Sequence, residues 1–534
     1  MSKKLETIIG LEIHVQLKTQ TKMFCGCSND GENLPPNTTI CEVCLGHPGV
    51  LPVPNKQAIE MSIKTALALN CEINTNQNFD RKNYFYPDLP KGYQISQLDR
   101  PIGEKGYLEI KNPAKSLRAN KTGEEQKNKI TITRLHLEED AAKNFHAGSK
   151  IKVDYNRGGT PLMEIVTEPD FRSPESTKAF LQELRLIMRY LGVSDADMEK
   201  GHLRCDANVS LRPEGKDKFY AKTEIKNLNS FKAVERALEY EVKRQSELWH
   251  MKNQPTKQST RGWDEKSQTT KVQRTKETSD DYRYFPEPDI PPMNIGGISN
   301  FQFPISKQIQ NSKEQNSKET STIDLKKIKA ELPELPEAKR QRFINEYEVS
   351  VANARVLVES KKLASYFEAA TSELKTWLEA KEEGTADEIW NKHKKKLAKL
   401  VSNWLINKLG GLVSEQNKSW DNINITPENF AEFITLIHEN KVSSAAAQKV
   451  LARMLATGED PSHIMEEESL EQVSESGELE SVVVNVLQAN PDEVARYKAG
   501  KTTLLQFFVG KIMRATKGSA NPQVAEELLK EKLS

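Results

Sequence analysis

Two short cysteine pairs, Cys25-Gly-Cys27 and Cys41-Glu-Val-Cys44, lie 13 residues apart. Tetrahedral Zn²⁺ is commonly held by two such pairs, and four cysteines would close its shell and make the site structural. The C-x-C half is less usual than C-x2-C, and four unligated thiols are the alternative. A second constellation lies on the run Ile9–Leu17, where Leu11, Ile13, Val15 and Leu17 alternate with Glu12, His14 and Gln16. A strand puts these sets on opposite faces, so Glu12 and His14 share one face and can grip one cation. The alternative is the polar face of an ordinary half-buried strand. His136-Leu137-Glu138-Glu139-Asp140 ends a second polar strand with three adjacent acids. Such a group suits Mg²⁺, which takes a few carboxylates plus waters and phosphate oxygens; a solvated loop entry is the plain reading. In a third stretch, Arg204, Asp206, Asn208 and Ser210 share one face, and Lys222, Glu224 and Lys226 share another. They fit a salt-bridged surface or a cleft for phosphate and carboxylate equally well.

Chemistry of another kind marks the tail. No acid occurs between Glu493 and Glu526, whereas Arg496, Lys498, Lys501, Lys511, Arg514 and Lys517 fall there. A basic helical surface suits a phosphate backbone, or it is a solvated face. No G-x-x-x-x-G-K-[ST] loop is present, so any ATP chemistry must use another scaffold.

The elements that must position these residues change along the chain. Residues 1–297 read as mixed strand and helix punctuated by Pro and Gly. Residues 298–325 form a Ser, Lys, Gln, Asn, Glu and Thr-rich linker or insertion. From 326 the apolar spacing is helical, over Ala338–Tyr347, Ala352–Thr371, Leu374–Ala380 and Ala386–Lys408. A last helical region occupies 409–534, with Ser443 or Ser444 as a helix cap and Pro491 in a first turn. The expected class is α+β: an N-terminal mixed-sheet body followed by two all-α modules.

The chain has 534 residues, 37% of them hydrophobic, with Lys+Arg 77 against Asp+Glu 76. That length predicts three or four domains, and the composition supports packed cores. Mean hydropathy is −0.66 and no apolar run approaches the ~18 residues of a membrane span. The first ten residues lack the apolar stretch of a secretory signal. All six cysteines fall within the first 205 residues, and Cys71 and Cys205 sit in apolar contexts that predict burial. A reducing, cytoplasmic setting is expected, where close-spaced cysteines bind metal more often than they pair.

Several longer stretches resemble one family. They are Ile9-Gly-Leu-Glu-Ile-His-Val-Gln-Leu17, Phe79-Asp-Arg-Lys-Asn-Tyr-Phe-Tyr-Pro-Asp88, Tyr93-Gln-Ile-Ser-Gln97 and Leu203-Arg-Cys-Asp-Ala-Asn-Val-Ser-Leu211. Lys226-Asn-Leu-Asn-Ser-Phe231 and Asp280-Asp-Tyr-Arg-Tyr-Phe-Pro-Glu-Pro-Asp289 belong with them, and Tyr497–Pro522 resembles a YqeY-like module. Together they resemble the B subunits of tRNA-dependent amidotransferases, the GatB family, from about residue 6 onward. The segment 298–325 departs from the pattern and has no assigned role.

The resemblance implies a cradle-like catalytic domain over 1–297 and a tRNA-binding tail over 409–534. It implies a heterotrimer with an amidase-type A subunit and a small C subunit. It implies ATP-dependent amidation of misacylated Glu-tRNA(Gln), Asp-tRNA(Asn) or both, with ammonia supplied by the A subunit. ATP, Mg²⁺ and Zn²⁺ are the implied cofactors. Glu12, His14 and Glu139 match the family's Mg²⁺ and catalytic positions, and Lys82 matches a lysine near the phosphates. Asp206 and Glu224 join the catalytic set mainly on the strand-face argument. Alternation places Glu139 with Leu135 and Leu137, so Glu138 is the fallback ligand. Two other readings are a non-catalytic tRNA-binding scaffold of the same complex and, less well supported, a zinc hydrolase, which four closing cysteines disfavour.

Overall fold

The computed structural model describes residues 4–111, 127–275, 282–295, 323–468, 470, 476–516, 520 and 522–533. Most of the expected insertion, residues 298–322, and Lys517 lie outside them. The chain divides into two compact units, Met1–Pro336 and Glu337–Ser534. The class is α+β: the first unit is built on a mixed sheet and the second is helical.

The first unit is organised by a nine-stranded sheet. Its centre is β1 (Leu5–Gln16), flanked by β10 (Pro161–Thr167) and β11 (Leu203–Pro213). Outward from β10 come β7 (Lys127–Glu139), β6 (Gly103–Lys111) and β2 (Glu72–Ile73). Outward from β11 come β12 (Thr223–Lys226), β13 (Ser259–Asp264) and β14 (Thr269–Thr275). Neighbouring pairs are antiparallel except β12 and β13.

The alternation read along Ile9–Leu17 is realised. Ile9, Leu11, Ile13 and Val15 are buried in one core with Leu135, Leu137, Met163, Ile165, Cys205 and Val209 from neighbouring strands. Cys71 and Cys205 are both buried. Helices α2 (Lys56–Ala68), α3 (Pro174–Leu191) and α4 (Phe231–His250) contribute Ile59, Ile63, Phe180, Leu184, Val234 and Leu238 to that core. Asn55, Ser173 and Ser230 cap them, each accepting a backbone N–H three residues on. The sheet's other face carries the polar members of each strand. A three-stranded sheet, β15 (Phe285–Pro286), β4 (Asp80–Asn83) and β5 (Tyr93–Ser96), hydrogen-bonds to the end of β7. The short helix α1 (Glu42–Leu45) carries the second cysteine pair at its ends. Helix α5 (Leu325–Ala330) belongs to this unit, because Ile323 and Ile328 join its core.

In the second unit, α6 (Pro336–Tyr347) is followed by α7 (Val351–Val358) and α8 (Lys361–Lys381). The helix expected over 352–371 is thus two. Ser360 leaves helical geometry and caps α8, which runs on through the segment expected to form a separate helix. Helix α9 (Ala386–Trp404) continues through a π-turn, Leu405–Leu409, into α10 (Gly410–Glu415). Then come α11 (Pro427–His438), α12 (Ser444–Thr457, capped by Ser443) and α13 (Pro461–Glu467). The last helices, α14 (Ser476–Gln488), α15 (Pro491–Lys498), α16 (Leu504–Ala515) and α17 (Pro522–Leu533), share their own core of Leu479, Val483, Phe508, Ile512 and Leu529.

Candidate active site and metal centre

Register explains why charged side chains collect on the sheet's polar face. In an antiparallel sheet, directly opposed residues point the same way. His14 opposes Arg204 on β11 and Glu164 on β10, and Glu164 opposes His136 on β7. The adjacent row sets Asp206 opposite Glu12, and the row beyond His14 sets Gln16, Leu162 and Glu138 in line.

Glu164 sits at the centre. Its Oε2 lies 3.3 Å from His14 Nε2 and 3.4 Å from His136 Nε2. Glu138 Oε1 lies 3.6 Å from His14 Nε2, and Ser96 Oγ donates to Glu138 Oε2 at 3.3 Å. Two overlapping groups have all ligand atoms within 4.8 Å of one another: Glu12, His14 and Glu164, and His136, Glu138 and Glu164. His136 is buried, and among the described residues its Nδ1 has no hydrogen-bond partner.

Burial opposes charge on His14. The hydrogen bond to Glu164 and the fields of Glu164, Glu138 and Glu12 outweigh it and push the pKa up to about 9. Burial, with Glu164 and Asp206 nearby, raises Glu12. Burial raises Glu164 as well, but His136 and His14 outweigh it and hold the carboxyl well below its usual range. Lys82 projects toward this acid group. Burial works against its charge, yet Glu138, Tyr284 and Glu164 raise its pKa, and its Nζ lies 5.2 Å from the Tyr282 ring centre.

Glu139 lies in neither ligand group. Its Oε1 accepts the Ile95 N–H at 2.9 Å and pairs with Lys91. It lines a cavity of about 220 Å³ with Cys25, Cys44, Arg81, Lys91 and Tyr93. Asp206 is paired with Lys226, whose Nζ also lies 3.9 Å from Glu224. Glu224 accepts Thr260 Oγ1 at 2.8 Å. Asp140 accepts Gln16 Nε2 at 2.8 Å and pairs with Arg204 and Arg157.

Glu164 and His136 received no role from the sequence. A signal existed for both. Pro161–Thr167 is an otherwise apolar strand with one acid in the middle, and His136 alternates in phase with Glu138.

The second cluster is Cys25, Cys27, Cys41 and Cys44, with all four sulfurs within 4.8 Å of one another. A tetrahedron with Zn–S bonds of ~2.3 Å has edges of about 3.8 Å, so the donor set fits Zn²⁺. The Cys41 N–H donates to Cys44 Sγ at 3.1 Å. The Cys25 thiol, that N–H and the Lys22 ammonium draw Cys44 down to about 5 against burial. Lys22 itself is fully buried, and its Nζ donates to the Tyr155 carbonyl at 3.3 Å. Among the described residues no carboxylate pairs with it. A buried ammonium needs an anion, and a zinc tetrathiolate carries two negative charges.

In the tail, Arg496, Lys498 and Lys501 are exposed on or just after α15, and Arg514 is exposed at the end of α16. Lys511 is half-buried, its Nζ 5.4 Å from the Phe507 ring centre. Among the described residues none of these five forms an ion pair with an acid.

Comparison with known proteins agrees with this layout. The model of the GatB/GatE catalytic domain matches residues 7–298 and that of the GatB domain matches residues 387–533. The chain belongs to the GatB family. Relatives named as the B subunit of aspartyl/glutamyl-tRNA(Asn/Gln) amidotransferase match it end to end. That of Persephonella marina is 45% identical over 99% of this chain and 100% of its own. Those of Geobacillus thermodenitrificans and a Thermotoga species are 45% and 43% identical, covering 99% and 98% of each chain. In GatB terms, the catalytic-domain match spans both clusters and the second match spans the basic tail. No helix among the described residues is long and apolar enough to cross a membrane.

Proposed function

We propose that this chain is the amidating subunit of a tRNA-dependent amidotransferase, acting on Glu-tRNA(Gln), Asp-tRNA(Asn) or both. An amidase-type glutaminase partner and a small third subunit complete the complex. The observation that carries the reading is the convergence of Glu12, Glu138 and Glu164 with His14 and His136 on one face of the nine-stranded sheet, with Lys82 of β4 in the field of Glu138 and Glu164, in a chain of this family.

A carboxylate is a poor acyl donor. Its oxygen attacks the γ-phosphorus of ATP, the bond to the β-phosphate oxygen breaks, and ADP leaves. Ammonia then attacks the acyl carbon and inorganic phosphate departs, leaving the amide. Lys82 stands beside the acid group, where its charge can offset that of the transferring phosphoryl. Glu12, Glu138 and Glu164 supply the oxygen donors that Mg²⁺ prefers; when bound, the ion would neutralise phosphate charge. The sheet holds these side chains from three adjacent strands, so positions are set by register and not by a loop. Asp206, opposite Glu12 in register, and Glu224 are tied to Lys226 and would extend the catalytic face beside the cluster. The cysteine cluster would hold Zn²⁺ as a structural centre, and the basic α15–α16 region would take the tRNA body through its phosphates.

The test uses the assembled complex. Glu12→Ala should abolish ATP hydrolysis dependent on Glu-tRNA, and amidation with it, while glutamine hydrolysis persists. Amidation at near wild-type rate would refute the assignment. Wild-type complex that binds tRNA but hydrolyses no ATP would favour a scaffold.

A further inference from the structure

A two-stranded hairpin leaves the sheet directly after the strand that carries His136 and Glu138. Its strands are β8 (Lys143–Ala147) and β9 (Lys150–Asp154), joined through Gly148 at φ 61°. Its root is fixed. Asp154 Oδ1 accepts the Asn37 N–H at 3.0 Å, Ala142 N–H donates to the Asp88 carbonyl at 2.9 Å, and Arg157 donates to the carbonyls of Ala141 and Ala142. Its arms are open: Phe145 is 43% and Ile151 51% exposed. Five residues per strand at ~3.4 Å each reach about 17 Å beyond that root.

Register sorts the side chains. Phe145 opposes Lys152, Ala147 opposes Lys150 and Lys143 opposes Asp154, so Lys143, Phe145, Lys150 and Lys152 share one face. Lys143 Nζ lies 5.2 Å from the Phe145 ring centre. Among the described residues no acid pairs with Lys143, Lys150 or Lys152, and the only carboxylate in this row, Asp154, is engaged at the root. An isolated hairpin is marginal in water. Here it is held by its root and presents three unneutralised ammonium groups around an exposed aromatic ring.

We propose that this face docks the RNA backbone next to the aminoacylated end of the tRNA, with the three lysines on successive phosphates and Phe145 against the sugar edge. The inference rests on the proposed function, since the aminoacyl group must reach the cluster on β7 and the hairpin begins four residues past Glu139. An arm of about 17 Å is long enough to follow the backbone of a duplex end entering there, and three like charges on one face of a strand pair match the repeat of a polyanion.

The assembled complex with the full chain tests it, using misacylated tRNA as the probe. Wild type and the triple variant Lys143→Glu, Lys150→Glu, Lys152→Glu are compared for KM, kcat and the salt dependence of tRNA binding. The neutral triple Gln variant controls for folding, with glutamine hydrolysis and thermal midpoint as checks. The expected result is a KM raised about tenfold or more at fixed low salt, kcat within about twofold, and a log–log salt slope flatter by about 2 to 3, at ~0.9 per phosphate contact. The Gln variant should fall between the two. An unchanged KM and slope in a folded triple variant would overturn the proposal. Loss of a partner subunit with an unchanged tRNA slope would also overturn it, by making the hairpin a protein contact. Failure of the wild-type complex to amidate tRNA would instead refute the function itself.

Discussion

Lys22 offers a test of the cysteine cluster with and without its metal. Methionine at this site keeps most of the buried stem and removes the ammonium. With zinc bound, four thiolates and one dication leave a net charge of −2, which Lys22 reduces to −1. Groups that support a metal's ligands typically contribute 10- to 100-fold in affinity, so Lys22→Met should weaken zinc binding by about 1.4–2.7 kcal/mol. Without metal the effect should be smaller. The ammonium is fully buried, with a carbonyl at 3.3 Å and no carboxylate partner among the described residues, and it helps to draw the Cys44 thiol down. Its removal should leave Cys44 a weaker acid and change the stability of the metal-free protein less than that of the zinc-bound one. Competition against a chromophoric chelator reads the first effect. Hydrogen exchange over residues 17–56 after chelation reads the second. The Cys41→Ser, Cys44→Ser double variant sets the floor, with about one zinc per chain lost. Unchanged zinc affinity would show that the thiolates do not balance Lys22.

For the tail, the cut should fall near Leu470, leaving α11 in place, since Phe430 and Phe433 of α11 pack against Tyr366 and Trp404 at 5.8 and 5.1 Å between ring centres. Truncation there, or charge reversal at Arg496, Lys498, Lys511 and Arg514, should raise the KM for misacylated tRNA with glutamine hydrolysis retained; unchanged affinity in both would mark the basic stretch as a solvated face. The adjacent acids should separate by kinetic readout: Glu138→Gln should cut tRNA-dependent ATP hydrolysis by orders of magnitude, whereas Glu139→Gln should affect hydrolysis far less and cost about 3 kcal/mol or more of stability by orphaning Lys91, and equal kinetic effects in both would refute the division.

The sequence carried the parts of this site that obey period two. Leu11, Ile13 and Val15 against Glu12, His14 and Gln16 fixed a face, and the cysteine spacing fixed a cluster, because each is decided by neighbours along the chain. Pairing partners were not legible in the same way. Nothing local says that His14 opposes Glu164, since β10 begins about 150 residues after β1 and sheet order is decided by packing. Helix breaks were the other gap. Ser360 reads as one polar residue in a helical run, and only its hydrogen bond to Leu363 N–H makes it a cap. The β8–β9 hairpin drew no attention because its few apolar residues, Phe145, Ile151 and Val153, alternate with lysines and polar residues on two short strands, and none of them is buried.

Register also decides which of two neighbouring acids does chemistry. A one-residue slip of β7 would exchange the faces of every side chain on it. Leu135 and Leu137, both buried, would leave the core, and Glu138 would replace Glu139 beside Lys91. Lys91 has only 7% of its side chain exposed, so it requires the carboxylate it has. Gln97 fixes the same register from the other side, its Oε1 accepting the Leu137 N–H at 3.0 Å, while Gln94 Nε2 donates to the Glu139 carbonyl at 2.6 Å. The second sheet therefore does more than cover the acid cluster. By clamping the end of β7 through side chains of β5 and the residue that follows it, it assigns Glu138 to the face shared with His14 and Glu164, and leaves Glu139 to neutralise a buried lysine.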